Sequence, residues 1–213
     1  MGDQKPILVV FAGPNGSGKT SLAQIAYANS TRLPRLYINA DSIAKDLSID
    51  AYKAAREAEK LRNDAIATGV SFVMETVMST PDKVKLMREA KGRGYSIHLE
   101  YITTQSPVIN VERVRNRVLD GGHDVPEDKI VSRYERSMTL LPLAADVSDT
   151  AVIYDNSSTE PVCIAEKSAD GRWYIYPHAS PGYWTEQRIK DLLAVDKEKI
   201  VRIVKGNCGA GFH

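Results

Sequence analysis

Gly13-Pro-Asn-Gly-Ser-Gly-Lys-Thr20 decides the fold of this chain. Glycine, four residues, then Gly-Lys-Thr is the spacing of a phosphate-binding P-loop. The apolar run Ile7–Ala12 stands directly before it and reads as a buried strand; Ser21-Leu-Ala-Gln-Ile-Ala26 follows with helical composition. Strand, glycine-rich loop and helix is the context in which backbone N–H groups and the first helical turn converge on one anion. The reading assigns nucleotide phosphate to Gly13, Pro14, Asn15, Gly16, Ser17, Gly18, Lys19, Thr20 and Ser21. Lys19 reaches the β- and γ-phosphates, and the Thr20 hydroxyl is a ligand for Mg²⁺. The implied cofactors are ATP and Mg²⁺.

Outward from the loop, apolar runs alternate with helical stretches. The runs are 7–12, 35–39, 71–75, 95–102 and 150–154; the helical stretches lie near 18–29, 51–68, 81–91, 107–119 and 126–140. Such alternation predicts a mostly parallel sheet with crossover helices, a three-layer α/β/α fold. Thr80-Pro81 and Ser106-Pro107 mark helix starts, and Gly69 and Gly92 mark helix ends. After Asp155 the pattern changes to a β-hairpin, 162–167 and 173–176, turning at Asp170-Gly171, then helical pieces near 185–194 and 196–204. The expected organisation is a P-loop core over 1–157, with an arginine lid over about 107–140, and a C-terminal appendage of the same domain over 158–213.

Composition sets limits on partners. The chain has 213 residues and a formal net charge of +1, so no global field draws nucleic acid. No apolar run approaches the ~20 residues of a membrane span. The first strand follows the N-terminal residues at once, which leaves no room for a signal peptide. Cys163 and Cys208 are the only cysteines. They form no disulfide framework and no metal-ligand spacing, so the expected compartment is the cytoplasm.

In a doubly wound sheet, ligands bind outside the carboxyl ends of the strands. Asp41 follows the second strand and Glu75 ends the third, with Thr76 beside it. Phosphoryl transfer needs a carboxylate to orient an acceptor hydroxyl and take its proton, and Asp41 is the candidate base. Glu75, Thr76, Thr104 at the end of the fourth strand, and Arg113 are candidate substrate contacts. Asp41 also reads as a helix N-cap, and Glu75 as a strand-end partner of a nearby cation. Arg113, Arg115, Arg117, Arg133 and Arg136 flank the loop 120–127. Arginines on a mobile lid stabilise the charge of a moving phosphoryl group. The alternative for each is a solvated face shared with Glu112, Asp120, Glu127 and Glu135. His123, in the same loop, is a further candidate for phosphate contact.

Taken together, these motifs resemble the zeta-toxin family of P-loop kinases. The resemblance rests on GPNGSGKTSL, Asn39-Ala-Asp41, Phe72-Val-Met-Glu-Thr76 with Ser79-Thr80, Lys91-Gly-Arg-Gly-Tyr95, and Arg113 to Pro126 followed by Arg133-Tyr-Glu-Arg-Ser137. It covers residues 6–157 and is nearer the stand-alone bacterial branch than the toxin of a plasmid addiction module. It implies an ATP-dependent kinase acting on a sugar hydroxyl, with UDP-N-acetylglucosamine as the family's acceptor. It also implies Lys19 as phosphate-binding lysine, Thr20 as Mg²⁺ ligand, Asp41 as base, Glu75 as a substrate-binding carboxylate, and Arg117 and Arg133 on the transferring phosphate. The inserted Gly121-Gly122-His123 alters the spacing of the arginines relative to the toxins. An antitoxin partner is compatible with the resemblance; nothing in one chain displays it. The competing functions are a kinase of another small metabolite, and a P-loop ATPase or nucleotide switch acting on a protein partner.

Overall fold

The computed structural model describes residues 5–122, 124–177 and 182–202. His123, Cys208 and the C-terminal GNCGAGFH lie outside them. β1 (Ile7–Ala12) leads into α1 (Lys19–Asn29); β2 (Leu36–Ile38), α2 (Ala40–Leu47), α3 (Ala51–Thr68) and β3 (Phe72–Thr76) follow. Then come α4 (Asp82–Gly92), β4 (Ser96–Thr103), α5 (Pro107–Leu119), α6 (Glu127–Val147) and β5 (Thr150–Asp155). The chain continues through β6 (Val162–Lys167), β7 (Trp173–Ile175), α7 (Glu186–Leu193), a 3₁₀ turn (Lys197–Lys199) and β8 (Ile200–Arg202).

All eight of these strands join one sheet in the order β2-β3-β1-β4-β5-β6-β7-β8. The first five positions are parallel; β6 is antiparallel to β5 and β7 to β6. The C-terminal hairpin therefore extends the core sheet.

Alternation along β1 sorts its side chains to two faces. Leu8, Val10 and Ala12 join Phe72, Met74, Leu99 and Tyr101 in the larger core, with Ala58, Met87, Leu141 and Ile189 from α3, α4, α6 and α7. Val9 and Phe11 face the other way, onto Ala23 of α1 with Leu33, Val73 and Ile102. This gives the helix–sheet–helix layering expected of the pattern. Trp173 and Trp184 are buried within the larger core.

Several local expectations change. The helix expected over 196–204 is instead the 3₁₀ turn and β8, because Ile200 and Val201 pair in parallel with Trp173 and Tyr174 on the open edge of β7. β-branched residues suit such an edge better than a helix. α6 runs to Val147, through Pro142, instead of stopping near 140. Burial of Leu141, Ala144 and Ala145 offsets the N–H that Pro142 lacks. Cys163 is disulfide-bonded, which corrects the expectation of two lone cysteines; two cysteines 45 residues apart carry no local spacing that signals a bond.

Candidate functional site

The P-loop connects the end of β1 to α1. At Gly13 φ is +141°, and a Cβ there would lie 1.9 Å from Ile102 O, so the close approach of β4 requires glycine. Gly18 precedes α1 in the left-handed region at φ +97°. A Cβ on it would meet Asn156 Nδ2 at 2.3 Å. Asn156 Nδ2 donates to Ser17 O at 2.8 Å, bracing the loop from the end of β5. On the other side, Asn110 Nδ2 donates to Asn15 O at 2.5 Å.

Two features make this loop an anion cradle. No side chain caps the N-terminus of α1, so the first helical N–H groups lack an acceptor from the chain. The Ser17 hydroxyl is buried without a hydrogen-bond partner. Lys19 Nζ donates to Pro14 O at 2.8 Å, and its ammonium is enclosed although the residue keeps some exposed surface. Burial lowers its pKa to about 8; Glu75 and Asp41 pull it upward, and Arg117 pushes it down. Lys19 thus senses Glu75, Asp41 and Arg117 together.

A hydrogen-bonded chain leads from the loop to the helix that carries Asp41. Thr20 Oγ1 donates to Glu75 Oε2 at 2.9 Å. The Tyr37 hydroxyl donates to Glu75 Oε1, and Asn39 Nδ2 donates to the Tyr37 oxygen at 3.5 Å. Asn39 caps α2: its Oδ1 accepts from Asp41 N at 2.8 Å and Ser42 N at 3.4 Å. The cap is therefore Asn39. Asp41 stands in the first turn with its exposed carboxylate unspent on capping, which corrects the N-cap alternative. Beside it lies a cavity of about 320 Å³ lined by Thr20, Ala23, Gln24, Tyr27, Tyr37 and Ser42. The Tyr27 and Tyr37 rings meet edge to face, with centroids 5.5 Å apart.

The remaining candidates separate. Arg133 Nη1 donates to Asn15 Oδ1 at 3.4 Å, so α6 touches the P-loop. Arg117 is exposed near the end of α5, where Gly122 N donates to its carbonyl at 2.8 Å. Arg113 Nη2 instead donates to Ser158 O at 3.2 Å. Arg115 pairs with Glu127 at 2.6 Å, both mostly exposed, the solvated-face alternative for that residue. Thr76 serves a turn: its Oγ1 accepts from Met78 N at 3.0 Å, and its carbonyl accepts from Gly13 N at 3.3 Å. Thr104 is fully buried, and its hydroxyl bonds Ser106 O and Asn110 Oδ1. It orients Asn110 toward the P-loop, so its hydroxyl is engaged within the chain.

Four supporting residues escape the sequence reading: Tyr37, Asn39, Asn110 and Asn156. The strand-end rule applied to β5 points to Asn156, and Asn39 before a helical stretch has the form of a cap. Tyr37 and Asn110 give no local signal, because only the tertiary fold brings them to the site.

The zeta toxin family matches residues 1–161. The chain belongs to that family. A relative from Haemophilus influenzae (strain ATCC 51907 / DSM 11121 / KW20 / Rd), an uncharacterized protein, is 31% identical over 131 residues, 59% of this chain and 91% of its own. Among solved structures, the PezAT chromosomal toxin-antitoxin system of Streptococcus pneumoniae is similar at a TM-score of 0.56 and 20% identity, over 93% of this zeta toxin family chain and 87% of that one. The AvrRxo1-ORF1:AvrRxo1-ORF2 structure with sulphate ions matches at 0.65 and 13% identity, over 90% and 64%. A second structure of that complex, with ATP, matches at 0.58 and 14% identity, over 79% and 60%. At these identities the likenesses show a shared fold. Among the described residues, no helix is long and apolar enough to cross a membrane, and no three His, Cys, Asp or Glu gather as a metal site.

Proposed function

We propose that this zeta toxin family chain is an ATP-dependent kinase that transfers the γ-phosphoryl group to a hydroxyl of a small acceptor, a sugar nucleotide such as UDP-N-acetylglucosamine. The observation that carries the reading is the hydrogen-bonded path from Thr20 of the P-loop through Glu75, Tyr37 and Asn39 to the first turn of α2, which holds Asp41. A phosphoryl-transfer site needs donor phosphate, acceptor base and charge-stabilising cation within one small volume. The AvrRxo1-ORF1:-ORF2 structure with ATP, of similar fold, supports the donor assignment.

The α1 N–H groups and Lys19 bind and orient the donor phosphates. The uncapped helix start and the orphaned Ser17 hydroxyl fit an anion there. Thr20 and Glu75 have the oxygen donors that suit Mg²⁺, which when bound neutralises charge between the phosphates. Asp41 accepts the proton of the acceptor hydroxyl, held in register with the P-loop by Asn39, Tyr37 and Glu75. The tyrosine-lined cavity beside Ser42 receives the acceptor. Arg117 and Arg133 approach the transferring group from the lid side, and closure of α5 and α6 over the loop excludes water.

The Thr20–Glu75 hydrogen bond favours one second reading. A carboxylate beside the P-loop threonine is also what a P-loop ATPase or switch acting on a protein partner uses to hold its metal. Incubation with Mg·ATP and candidate acceptors separates the two: the kinase yields a phosphorylated acceptor, the ATPase free phosphate alone. The chain's action within the cytoplasm, and capture by an antitoxin, belong to this proposal.

A further inference from the structure

Thr20, Ala23, Gln24 and Tyr27 recur at helical spacing along α1 and so share one face of it. That face forms a wall of the cavity of about 320 Å³, and Tyr37 of β2 and Ser42 of α2 stand opposite. None of these residues carries a charge, so the cavity suits a neutral group and leaves phosphates to the P-loop. Its volume is at the low end of the roughly 300–1,000 Å³ of ligand pockets, with room for one ring and its substituents.

The lining divides into engaged and free groups. The Tyr27 hydroxyl donates to Pro34 O at 2.9 Å, and the Tyr37 hydroxyl donates to Glu75 Oε1. Both hydroxyls are tied down, so the two rings, edge to face at 84°, form a fixed aromatic corner. The Thr20 hydroxyl is held by Glu75. Gln24 differs, since its carboxamide makes no hydrogen bond with any described residue. It is exposed, so a ligand reaches it from solvent. A carboxamide sets an N–H donor beside an oxygen acceptor. Its complement is an edge with C=O and N–H on the same side. An open-chain amide such as an acetamido group is trans and turns the two apart; a lactam locked in a ring keeps them together.

We propose that this cavity binds the lactam edge of a nucleobase, with Gln24 as the residue that determines specificity. The inference rests on the kinase reading for what the base belongs to, a nucleotide-linked acceptor. The Tyr27–Tyr37 corner packs against the base, a contact open to any base because each has a π-face. Gln24 selects among them: Oε1 accepts from the ring N–H, and Nε2 donates to the adjacent carbonyl oxygen. Asn and Gln read base edges in this two-bonded way elsewhere.

Calorimetric titration of the full chain, saturated with Mg·ADP, tests it with three probes: UDP-N-acetylglucosamine, UDP-glucose, and UDP-glucose methylated at N3 of the uracil. The first two should bind within about threefold of each other, and N3 methylation should weaken binding at least tenfold. Gln24→Leu should weaken the first two at least tenfold and remove the effect of methylation. Leucine suits an exposed helical position, and an unchanged Tm verifies that the variant folds. UDP-N-acetylglucosamine binding more than tenfold tighter than UDP-glucose, with methylation without effect, would give the cavity to the sugar and overturn the proposal. Full sensitivity to methylation in Gln24→Leu, or no binding by any probe, overturns it too. Binding to Mg·ADP enzyme needs no transfer, so the two readings fail separately. Gln24-dependent binding with no phosphorylated product from Mg·ATP refutes the kinase reading and leaves the base site standing. Product formed with the same acceptor KM in Gln24→Leu ends the base site and leaves the kinase.

Discussion

The Thr20 hydroxyl donates to Glu75 Oε2 at 2.9 Å, across 55 residues of chain. That bond joins the hydroxyl proposed as the Mg²⁺ ligand of the P-loop to the carboxylate that the sequence alone assigns to substrate. Glu75 also holds Tyr37, and through it Asn39 and α2. Glu75→Gln keeps the shape and removes the charge. The expected outcome is a rise of at least tenfold in the Mg²⁺ concentration for half-maximal rate. A change confined to acceptor KM, in assays varying each in turn, would return Glu75 to substrate binding alone.

Lys19 carries the donor side. Lys19→Ala should lower phosphoryl transfer by on the order of 100-fold or more, the scale of losing one positioned charge donor. The fold should survive, because the substitution also removes an enclosed ammonium. Steady-state rates beside a thermal melt check this, and a near-normal rate counts against the P-loop mechanism.

The same lysine gives a pH signature. Burial holds its folded pKa at about 8, below the 10.5 of an ordinary lysine. The unfolded chain then binds more protons between those values, so free-chain stability rises with pH across that window. Phosphate beside the ammonium favours its charged form and restores the proton. At pH 8.5, ATP binding should take up roughly 0.7 of a proton at this group. Calorimetry in buffers of different ionisation enthalpy measures that uptake; proton release at this pH would contradict it.

Asp41 is exposed, in the first turn of α2, with Asn39 performing the capping. Asp41→Asn should therefore cost little stability and leave ATP affinity unchanged. Transfer should fall by on the order of 10²–10⁴, the range for loss of a general base. Unchanged turnover removes Asp41 from the chemistry.

Arg117 and Arg133 differ in setting: one acts on Lys19 through its charge, the other touches Asn15. Each Arg→Ala substitution should depress kcat by on the order of 10³-fold, with a smaller effect on ATP affinity. Arg115→Ala, which breaks only an exposed pair with Glu127, should stay within about twofold, since such pairs contribute ~1 kcal/mol or less. Wild-type rates in both Arg117 and Arg133 variants would make the cluster a solvated face.

Much of the fold is legible in the sequence because its signals are local. The apolar stretches at the hearts of β1, β3 and β5 are buried on both faces and read as hydrophobic runs; β4 keeps His98 and Glu100 within its run. The P-loop carries its own spacing. β8 was not legible, since Ile200 to Arg202 becomes a strand only by pairing with β7. α2 spans only Ala40–Leu47 and has no buried residue, too short a stretch to stand out between β2 and α3. At the site, Lys19, Thr20, Asp41 and Glu75 follow from motif and strand-end position. Thr104 has the same strand-end position, yet burial turns its hydroxyl inward.

Transfer of a phosphoryl group from ATP to a sugar hydroxyl is the proposed reaction. The most direct measurement incubates the chain with Mg·ATP and UDP-N-acetylglucosamine, among other sugar nucleotides, and follows acceptor mass by mass spectrometry. One acceptor should gain a single phosphate as ADP appears in equal amount, and Asp41→Asn should abolish the gain. ADP and free phosphate accumulating while every acceptor keeps its mass would contradict it.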